Sequence, residues 1–416
     1  MTQNRTDNGG SGRSWAAAFV LSQVVVVAAV IAVARAKMTQ EAGRLALPPL
    51  RNEPLEVKPL YNNPQIVSDE QLRAVMTKLR PRLRGPQPRI YNLDHALRFC
   101  GAQVKFRDPK CLSGAEIRNL LLDHADFHAA WGAKAKPLLI HDALGVGVRV
   151  KEGLATSSHV DHVLSALAEA GTTLDFPVCT AGGRSTVRDM VVRSLRRFSL
   201  NQAEADFSAM VFALYLASGR PWVSSEGQQI TFDRLADRLM RESLADGPCY
   251  GSHRLYDLAL FLRVHQQQPI LSPECQARIT AHLRHVTSVL VASQHAEGYW
   301  DQQWSGGAPV ALETDEPEEE EKLHPLSPRL LVTGHALEWW AIAPREVLPP
   351  EEVMVRAGQW LVRSVSEMSE EDVREGYAFL THIGRALALW RGQFPSAVLA
   401  RLEAESVRLA TGRPSR

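Results

Sequence analysis

Cysteine and net charge are the two features that this sequence has least of. Five of its 416 residues are cysteines, no two of them form a Cys-x-x-Cys pair, and the formal net charge is +1. So few scattered cysteines exclude a dense disulfide framework. Cys100 and Cys111 either bridge a short loop in an oxidising compartment or are buried apolar side chains. The nearly neutral charge argues against nucleic acid as a partner.

Charged residues are missing from one long stretch near the N-terminus, Ser14 to Ala34. A helix that spans a bilayer needs about 20 apolar residues, so this stretch is long enough. It is either an uncleaved signal anchor or a signal peptide cut near residues 32–36, and its length favours the anchor. We therefore expect a single-pass protein of the inner (cytoplasmic) membrane, with its large domain on the periplasmic or extracytoplasmic side.

The rest of the chain divides by composition into tails, a tether and one large domain. The predicted units are a tail at 1–13, the transmembrane anchor at 14–34, a Pro-rich extended tether at 35–66, a helical domain at 67–411 and a tail at 412–416. Within the domain we predict a long helix from Glu116 to Trp131. Two runs of β-branched and apolar residues predict a β-hairpin insertion at 137–150. A run of acidic residues predicts a solvated loop at 305–327.

Polar residues at predicted helix starts recur 47 positions apart, with one longer interval between the third and the fourth. They are His159, Asp206, His253, His335 and His382. One further step back reaches Leu112, just before a predicted N-cap at Ser113. A period of this length indicates stacked supersecondary units. Six such units predict an all-α fold in which six helix hairpins close into an (α/α)6 toroid.

Apolar patterning separates two kinds of helix in this fold. The segments 206–218 and 253–264 are apolar on nearly every side, which is typical of buried inner helices. The segments 185–198 and 231–244 carry one apolar stripe, which is typical of outer helices. The pattern therefore predicts an inner and an outer layer.

The long predicted helix from Ser272 to Ser293 ends in a segment of the form Gln-x-x-x-Gly-x-Trp. Its residues are Gln294, Gly298 and Trp300. A glutamine can cap free carbonyls at a helix end, and a glycine allows the left-handed turn that follows. The segment resembles the QW motif of the terpenoid cyclase and protein prenyltransferase superfamily of (α/α)6 toroids. The resemblance implies a structural role for these three residues, and the whole chain resembles uncharacterised, membrane-anchored bacterial members.

The signature chemistry of that superfamily is absent from the sequence. There is no Asp-x-Asp-Asp acid motif, no Asp-Asp-x-x-Asp motif of the ionising terpene synthases and no Gly-Cys-Gly-Glu-Gln thioester. The zinc ligands of the prenyltransferases have no counterpart either. The resemblance therefore implies the fold and leaves the reaction open.

Residues near the starts of the predicted inner helices are the expected ligand contacts. These starts converge on one mouth of a toroid, and their free N–H groups favour anions there. The expected ligand-binding residues are His159, His162, Asp206, Tyr250, His382, Trp339 and Trp340, the two indoles offering a stacking surface. Helix starts also prefer polar residues for capping alone, so a purely structural role is the alternative.

His335 and Glu338 are three positions apart and share a helix face. They suit an acid/base pair, with His253 and Asp257 expected opposite them as further catalytic candidates. The stretch is similar to a Gly-His-x-x-Glu segment of the N-acylglucosamine 2-epimerases, which are also (α/α)6 barrels. Two functions follow. The toroid binds an apolar or polyhydroxyl ligand in its central cavity, or it is an epimerase, lyase or cyclase acting on a carbohydrate or isoprenoid.

Metal chemistry has one weak candidate in the sequence. His124 and His128 lie one helical turn apart, the geometry that zinc-binding helices use. A third ligand cannot be named, so the sequence predicts no metal site and no cofactor. The membrane and a small-molecule or glycan ligand are the partners that it indicates.

Overall fold

Helices make up most of the described chain. The computed structural model describes residues 11–42, 47–245, 247–306 and 324–411. Its helices in these ranges are α1 (Ser11–Ala42), α2 (Asp69–Lys78), α3 (Ile90–Cys100), α4 (Gly114–Leu122), α5 (His124–Trp131), α6 (His162–Glu169), α7 (Val187–Arg197), α8 (Asp206–Tyr215), α9 (Phe232–Arg241), α10 (Ser252–Gln267), α11 (Pro273–Ser293), α12 (Ser327–Ile342), α13 (Glu351–Glu367), α14 (Glu370–Glu375), α15 (Tyr377–Trp390) and α16 (Pro395–Thr411). A 3-10 turn, Arg345–Val347, precedes α13. The predicted mostly helical class is confirmed.

Three short antiparallel hairpins accompany the helices in the described ranges. The first pairs β1 (Leu139–Asp142) with β2 (Gly145–Val148), where a hairpin was predicted. The others pair β3 (Pro177–Thr180) with β4 (Gly183–Thr186) and β5 (Trp222–Val223) with β6 (Gln229–Ile230). The last two hairpins were not predicted from the sequence. The strands are too short for a period of two to show in the sequence.

Side-chain capping fixes where several helices begin. Ser68 and Ser113 each form a capping box, and Thr186 does the same before α7. The predicted single helix from Glu116 to Trp131 is interrupted at Asp123, because the Asp123 carboxylate accepts the amides of Ala125 and Asp126. An aspartate that caps a new helix start competes with continuation of the old helix. The prediction of one long helix was therefore wrong.

Six helices are buried along most of their length: α3, α6, α8, α10, α12 and α15. Each packs against the next in this order, and α15 packs against α3. The amphipathic helices lie outside them: α4 against α3, α7 against α8, α9 and α11 against α10, α13 against α12, and α16 against α15. The sequence correctly assigned α8 and α10 to the buried set and α7 and α9 to the amphipathic set.

The Pro-rich stretch before α2 lies against the helical body over its described part. The amides of Arg51 and Leu55 donate to the carbonyls of Tyr215 and Leu214 at the end of α8, both at 2.9 Å. The Asn63 amide donates to Trp390 O at the end of α15 at 2.7 Å. The last carbonyls of a helix have no partner within it, and this stretch satisfies them. Residues 47–66 thus differ from a free tether, and residues 35–42 continue α1.

The N-terminal helix α1 contains the apolar segment that the sequence singled out. The segment Ala18–Arg35 is long and apolar enough to cross a membrane, and none of it is buried. A signal sequence near the N-terminus can meet the same criteria. Residues 1–10, 307–323 and 412–416 lie outside the described residues. Most of the acidic loop predicted at 305–327 is therefore not described.

Gln294, Gly298 and Trp300 connect three helices in the structure. The Gln294 amide donates to Gly298 O at 3.0 Å and to Val353 O, on α13, at 2.9 Å. The Trp300 indole is fully buried and donates to Leu290 O, on α11, at 2.7 Å. Its backbone amide donates to Thr333 Oγ1, on α12, at 3.0 Å. Cys100 and Cys111 are buried without a disulfide between them in the described chain.

Replacement of Gly298 by alanine should lower the free energy of unfolding by about 3 kcal/mol, since it combines backbone strain with overpacking. Gly298 has φ of +110°, and a Cβ there would lie 2.5 Å from the Arg356 carbonyl oxygen. Urea denaturation followed by tryptophan fluorescence measures the change. Gly132→Ala is the matched control, because Gly132 has φ of +86° but open space around it. Equal losses in the two variants would contradict the steric part of this explanation.

Candidate functional site

Five histidines from five different buried helices form one contiguous cluster. They are His95 on α3, His162 on α6, His253 on α10, His335 on α12 and His382 on α15, and each is at most 3% exposed. The ring centroids of His335 and His382 are 3.8 Å apart, and those of His253 and His335 are 4.9 Å apart. His95 joins His162 at 4.7 Å and His382 at 5.2 Å. The helix packing thus gathers imidazoles that are far apart in sequence.

Burial keeps most of these imidazoles neutral. It lowers the pKa of His162, His253 and His382 well below the ordinary value. It lowers the pKa of His335 to about 4, although the nearby Glu338 acts in the opposite direction. A charged imidazole is disfavoured where water cannot solvate it. These four histidines therefore offer neutral ring nitrogens and not cations.

Two carboxylates and two guanidinium groups form a buried ion cluster next to the histidines. Glu338 accepts His382 Nδ1 at 2.7 Å, lies 2.7 Å from Arg98 Nη2, and accepts Arg385 Nη1 at 2.9 Å. Glu169 accepts Arg385 Nη2 and Tyr256 Oη, both at 2.6 Å, and also pairs with Arg98. Burial alone would raise the pKa of both carboxyls, but the two arginines hold it below the ordinary value. The charges of this cluster balance.

Asp257 and Asp206 form a separate pair of buried carboxyl groups. Both are 0% exposed, and no oxygen of either accepts a hydrogen bond from a described residue. Arg254 Nε lies 3.4 Å from Asp206 Oδ1. Burial raises the pKa of Asp257 well above its ordinary value, and the neighbouring Asp206 and Glu169 raise it further. Burial and the neighbouring carboxyl groups therefore favour the neutral, protonated form of Asp257.

A cavity of about 440 Å³ lies beside the ion cluster. Its wall includes the polar side chains of Arg98, Glu169, Tyr256 and Arg385, and the apolar side chains of Leu214, Leu260 and Phe394. Residues 53–57, from the stretch before α2, complete the wall. The volume falls within the range of roughly 300–1,000 Å³ that is usual for small-molecule sites. The cavity thus combines a charged, hydrogen-bonding side with an apolar side.

The structure brings some of the sequence-predicted residues together and leaves others apart. His162, His253, His335 and His382 meet in the histidine cluster, and Glu338 adjoins it. His159 adjoins the cluster, with its ring centroid 5.6 Å from that of His162, and its Nδ1 lies 3.3 Å from Glu204. Tyr250 donates to Gln302 at 3.1 Å. Trp340 donates to Thr287 on α11 at 3.0 Å, and Trp339 and Trp340 are packed in the core. The two indoles are therefore not among the described residues of the cavity wall.

The expectation of one open mouth made by helix starts needs correction. His162 and Asp206 begin α6 and α8, but α12 begins at Ser327 and α15 at Tyr377. His335 and His382 therefore lie inside their helices. They meet the other imidazoles because all five project into the same interior. The cluster is buried, so it does not form a solvent-facing anion site at helix N-termini.

Sequence analysis missed His95, Arg98, Glu169, Tyr256 and Arg385. A signal for four of them was present: a histidine is followed three positions later by a polar residue on four helices. The pairs are His95 and Arg98, His253 and Tyr256, His335 and Glu338, and His382 and Arg385. Positions i and i+3 share a helix face, so each pair contributes one residue to the histidine cluster and one to the ion cluster. No comparable signal marks Glu169.

Comparisons add no assignment to this geometry. Protein-family models, curated proteins and solved structures give no match to the chain, so nothing identifies it with the terpenoid cyclase superfamily.

Proposed function

We propose that this chain is a membrane-tethered helical toroid that binds a polyhydroxyl ligand, such as a saccharide, in the cavity beside the ion cluster. The observation that carries the proposal is a cavity of about 440 Å³ whose wall includes Arg98, Glu169 and Arg385, three members of the buried ion cluster. Buried charges that serve packing alone are often replaceable by apolar side chains without loss of stability. A group of this kind at a cavity wall fits a binding role.

The order of helix contacts supports the (α/α)6 arrangement. The six buried helices pack as successive neighbours, and α15 packs against α3. Six inner helices with amphipathic partners outside them are what a toroid requires. The 47-residue spacing agrees with five of these units, α6, α8, α10, α12 and α15. The sixth buried helix, α3, precedes the predicted start at Leu112, which instead leads into the outer helix α4.

The chemistry of the wall favours a polyhydroxyl ligand over a purely apolar one. A hydroxyl group donates to a carboxylate such as Glu169 or to the Tyr256 hydroxyl oxygen, and it accepts from a guanidinium. The balanced charge of the ion cluster gives no net attraction to an anion. Leu214, Leu260 and Phe394 offer an apolar surface to the C–H face of a sugar ring.

The membrane tether is proposed from α1. Its exposed apolar segment, Ala18–Arg35, fits a single span. The charge-free stretch exceeds the usual length of a signal-peptide core, which favours an anchor that is retained. We place the helical domain on the extracytoplasmic side, where glycans and their precursors are found.

The enzymatic alternative, with His335 and Glu338 as acid and base, has less support. Among the described residues of the cavity wall neither of these two side chains occurs. Glu338 accepts hydrogen bonds from His382 and Arg385, which hold it as an anion. A general acid/base must reach the substrate directly or through one water.

Native mass spectrometry of the full-length protein tests the proposed ligand. The protein is purified from its own host in a detergent without a sugar headgroup, and we expect a co-purifying molecule of carbohydrate composition. Tyr256→Phe and Glu169→Gln should weaken its binding by about 10–100-fold, the equivalent of one hydrogen bond to a charged group. Tyr377→Phe is the matched control, because its buried hydroxyl bonds Leu79 O. Absence of a carbohydrate, or equal binding by all variants, would contradict the proposal.

A further inference from the structure

We infer that Cys249, His253 and His335 form a zinc-binding site, separate from the cavity. One ligand atom from each residue lies within 4.8 Å of the other two. The Nε2 atoms of His253 and His335 are 3.4 Å apart. Two imidazole nitrogens bound at about 2.0–2.1 Å to a tetrahedral Zn²⁺ are separated by roughly 3.3 Å. The two histidines therefore stand at the spacing that a shared ion requires.

Hydrogen bonding fixes the tautomer of His335 that metal binding needs. His335 Nδ1 lies 2.9 Å from the carbonyl oxygen of Leu331. A carbonyl only accepts, so Nδ1 carries the proton and Nε2 keeps its lone pair towards His253. Metal-binding histidines almost always donate their second ring N–H to a carbonyl or carboxylate in this way.

The backbone before α10 brings the thiol of Cys249 to the same place. Cys249, Tyr250 and Gly251 are consecutive residues in the left-handed region, with φ of 49°, 55° and 73°. Such a conformation costs of the order of 1–3 kcal/mol for each non-glycine residue and persists where the surroundings enforce it. To coordinate an ion held by the two histidines, the Cys249 sulfur must move by on the order of 1 Å to reach the Zn–S distance of about 2.3 Å. A metal bond would stabilise this turn.

Two other groups of possible ligands nearby are less suited to a cation. Glu338 and His382 are bonded to each other, and Arg98 and Arg385 place two positive charges at that carboxylate. Asp94 Oδ1 lies 2.8 Å from His95 Nδ1 and Asp94 Oδ2 lies 3.3 Å from His162 Nδ1, so in this group each imidazole faces the carboxylate. The charge of Arg98 also acts on the proposed site, where it lowers the pKa of His253, and the charge of Glu338 raises that pKa. In the Cys249 group the two imidazole Nε2 atoms lie 3.4 Å apart, at the spacing of a shared ion.

The donor set selects the kind of metal. Thiolate and imidazole favour Zn²⁺ over Mg²⁺ or Ca²⁺, which prefer oxygen ligands. Three protein ligands leave a fourth position for water or for a bound molecule, as in catalytic zinc sites. A Cys-His-His set is also used by copper proteins, so the identity of the ion needs its own measurement.

Cobalt and zinc titrations of the full-length protein test the site. The protein carries no histidine tag and is stripped with a chelator before metal is added. We expect one Co²⁺ per chain with a thiolate-to-cobalt charge-transfer band in the near ultraviolet. Cys249→Ser should abolish that band. His253→Gln and His335→Gln should each weaken binding by more than the roughly 10–100-fold typical of losing a second-shell partner.

Cys179→Ser and His285→Gln are the matched controls. Cys179 is half-buried like Cys249, and His285 is exposed. Circular dichroism checks that each variant is folded, and zinc should raise the melting temperature of the unmodified protein but not of His335→Gln. No charge-transfer band in the unmodified protein, or binding unchanged in the ligand variants, would overturn the site. Preferential retention of copper over zinc would overturn the assignment of the ion.

Discussion

Replacement of Arg385 by methionine should lower the free energy of unfolding by about 3–5 kcal/mol, the usual cost of removing one member of a buried ion group. Arg385 bonds Glu338 at 2.9 Å and Glu169 at 2.6 Å, and all three side chains are at most 8% exposed. Without Arg385, two buried carboxylates share the single charge of Arg98. Methionine keeps the apolar stem of the side chain, so the loss reports the charge. Urea denaturation at neutral pH measures it.

A second substitution separates charge from packing in this result. Glu169→Gln added to Arg385→Met removes the excess negative charge, so the double variant should be more stable than Arg385→Met alone. The matched control is Arg278→Met, whose partner Asp237 lies 2.8 Å away on the surface, with both side chains more than 40% exposed. That exposed pair should change stability by no more than about 1 kcal/mol. A loss in Arg385→Met as small as in Arg278→Met would contradict the account of the ion cluster.

Replacement of Asp257 by asparagine should stabilise the protein at neutral and alkaline pH. Burial raises the pKa of this carboxyl well above 3.8, its value in the unfolded chain. The native state therefore keeps a proton that the unfolded state releases, and stability is lost as pH rises above 3.8. The loss grows by about 1.4 kcal/mol per pH unit until the native carboxyl also ionises. Asparagine has a similar shape and does not titrate, so it removes this dependence.

The informative measurement for Asp257 is the difference in stability between Asp257→Asn and the unmodified protein as a function of pH. At pH 4 Asp257→Asn and the unmodified protein should agree within about 0.5 kcal/mol, and their difference should widen with rising pH. Asp126→Asn is the control, since Asp126 is exposed on α5. The difference in stability between Asp126→Asn and the unmodified protein should not widen over the same pH range. A stabilisation by Asp257→Asn that is independent of pH would mean that packing, and not protonation, is responsible.

Local sequence patterns predicted the elements of this protein better than their assembly. The apolar runs that became α8 and α10, the stripes of α7 and α9, and the hairpin at 137–150 all follow from side-chain periodicity within one element. The break at Asp123 was missed because capping by a carboxylate competes with an otherwise helical pattern. The packing of residues 47–66 was missed because its partners, the final carbonyls of α8 and α15, are more than a hundred positions away.

The candidate site shows the same division. His253, His335 and His382 were singled out by their spacing, and Glu338 by its position one turn from His335. Arg98, Glu169 and Arg385 each resemble the charged residues of an ordinary helix face in the sequence. Only the packing of α3, α6 and α15 buries them together, and burial is what gives their charges a role. The position of Cys249 near His253 and His335 likewise depends on a left-handed turn that no local pattern indicates.

The most direct test of the proposed function is a crystal structure of the full-length protein purified from its own host. We predict electron density for a polyhydroxyl ligand in the cavity, with ligand oxygens in hydrogen-bonding distance of Glu169, Tyr256 or Arg385, inside a closed circle of six helices. A cavity filled by residues 53–57, or a ligand bound elsewhere on the domain with Glu169 and Arg385 contacting only each other, would contradict it.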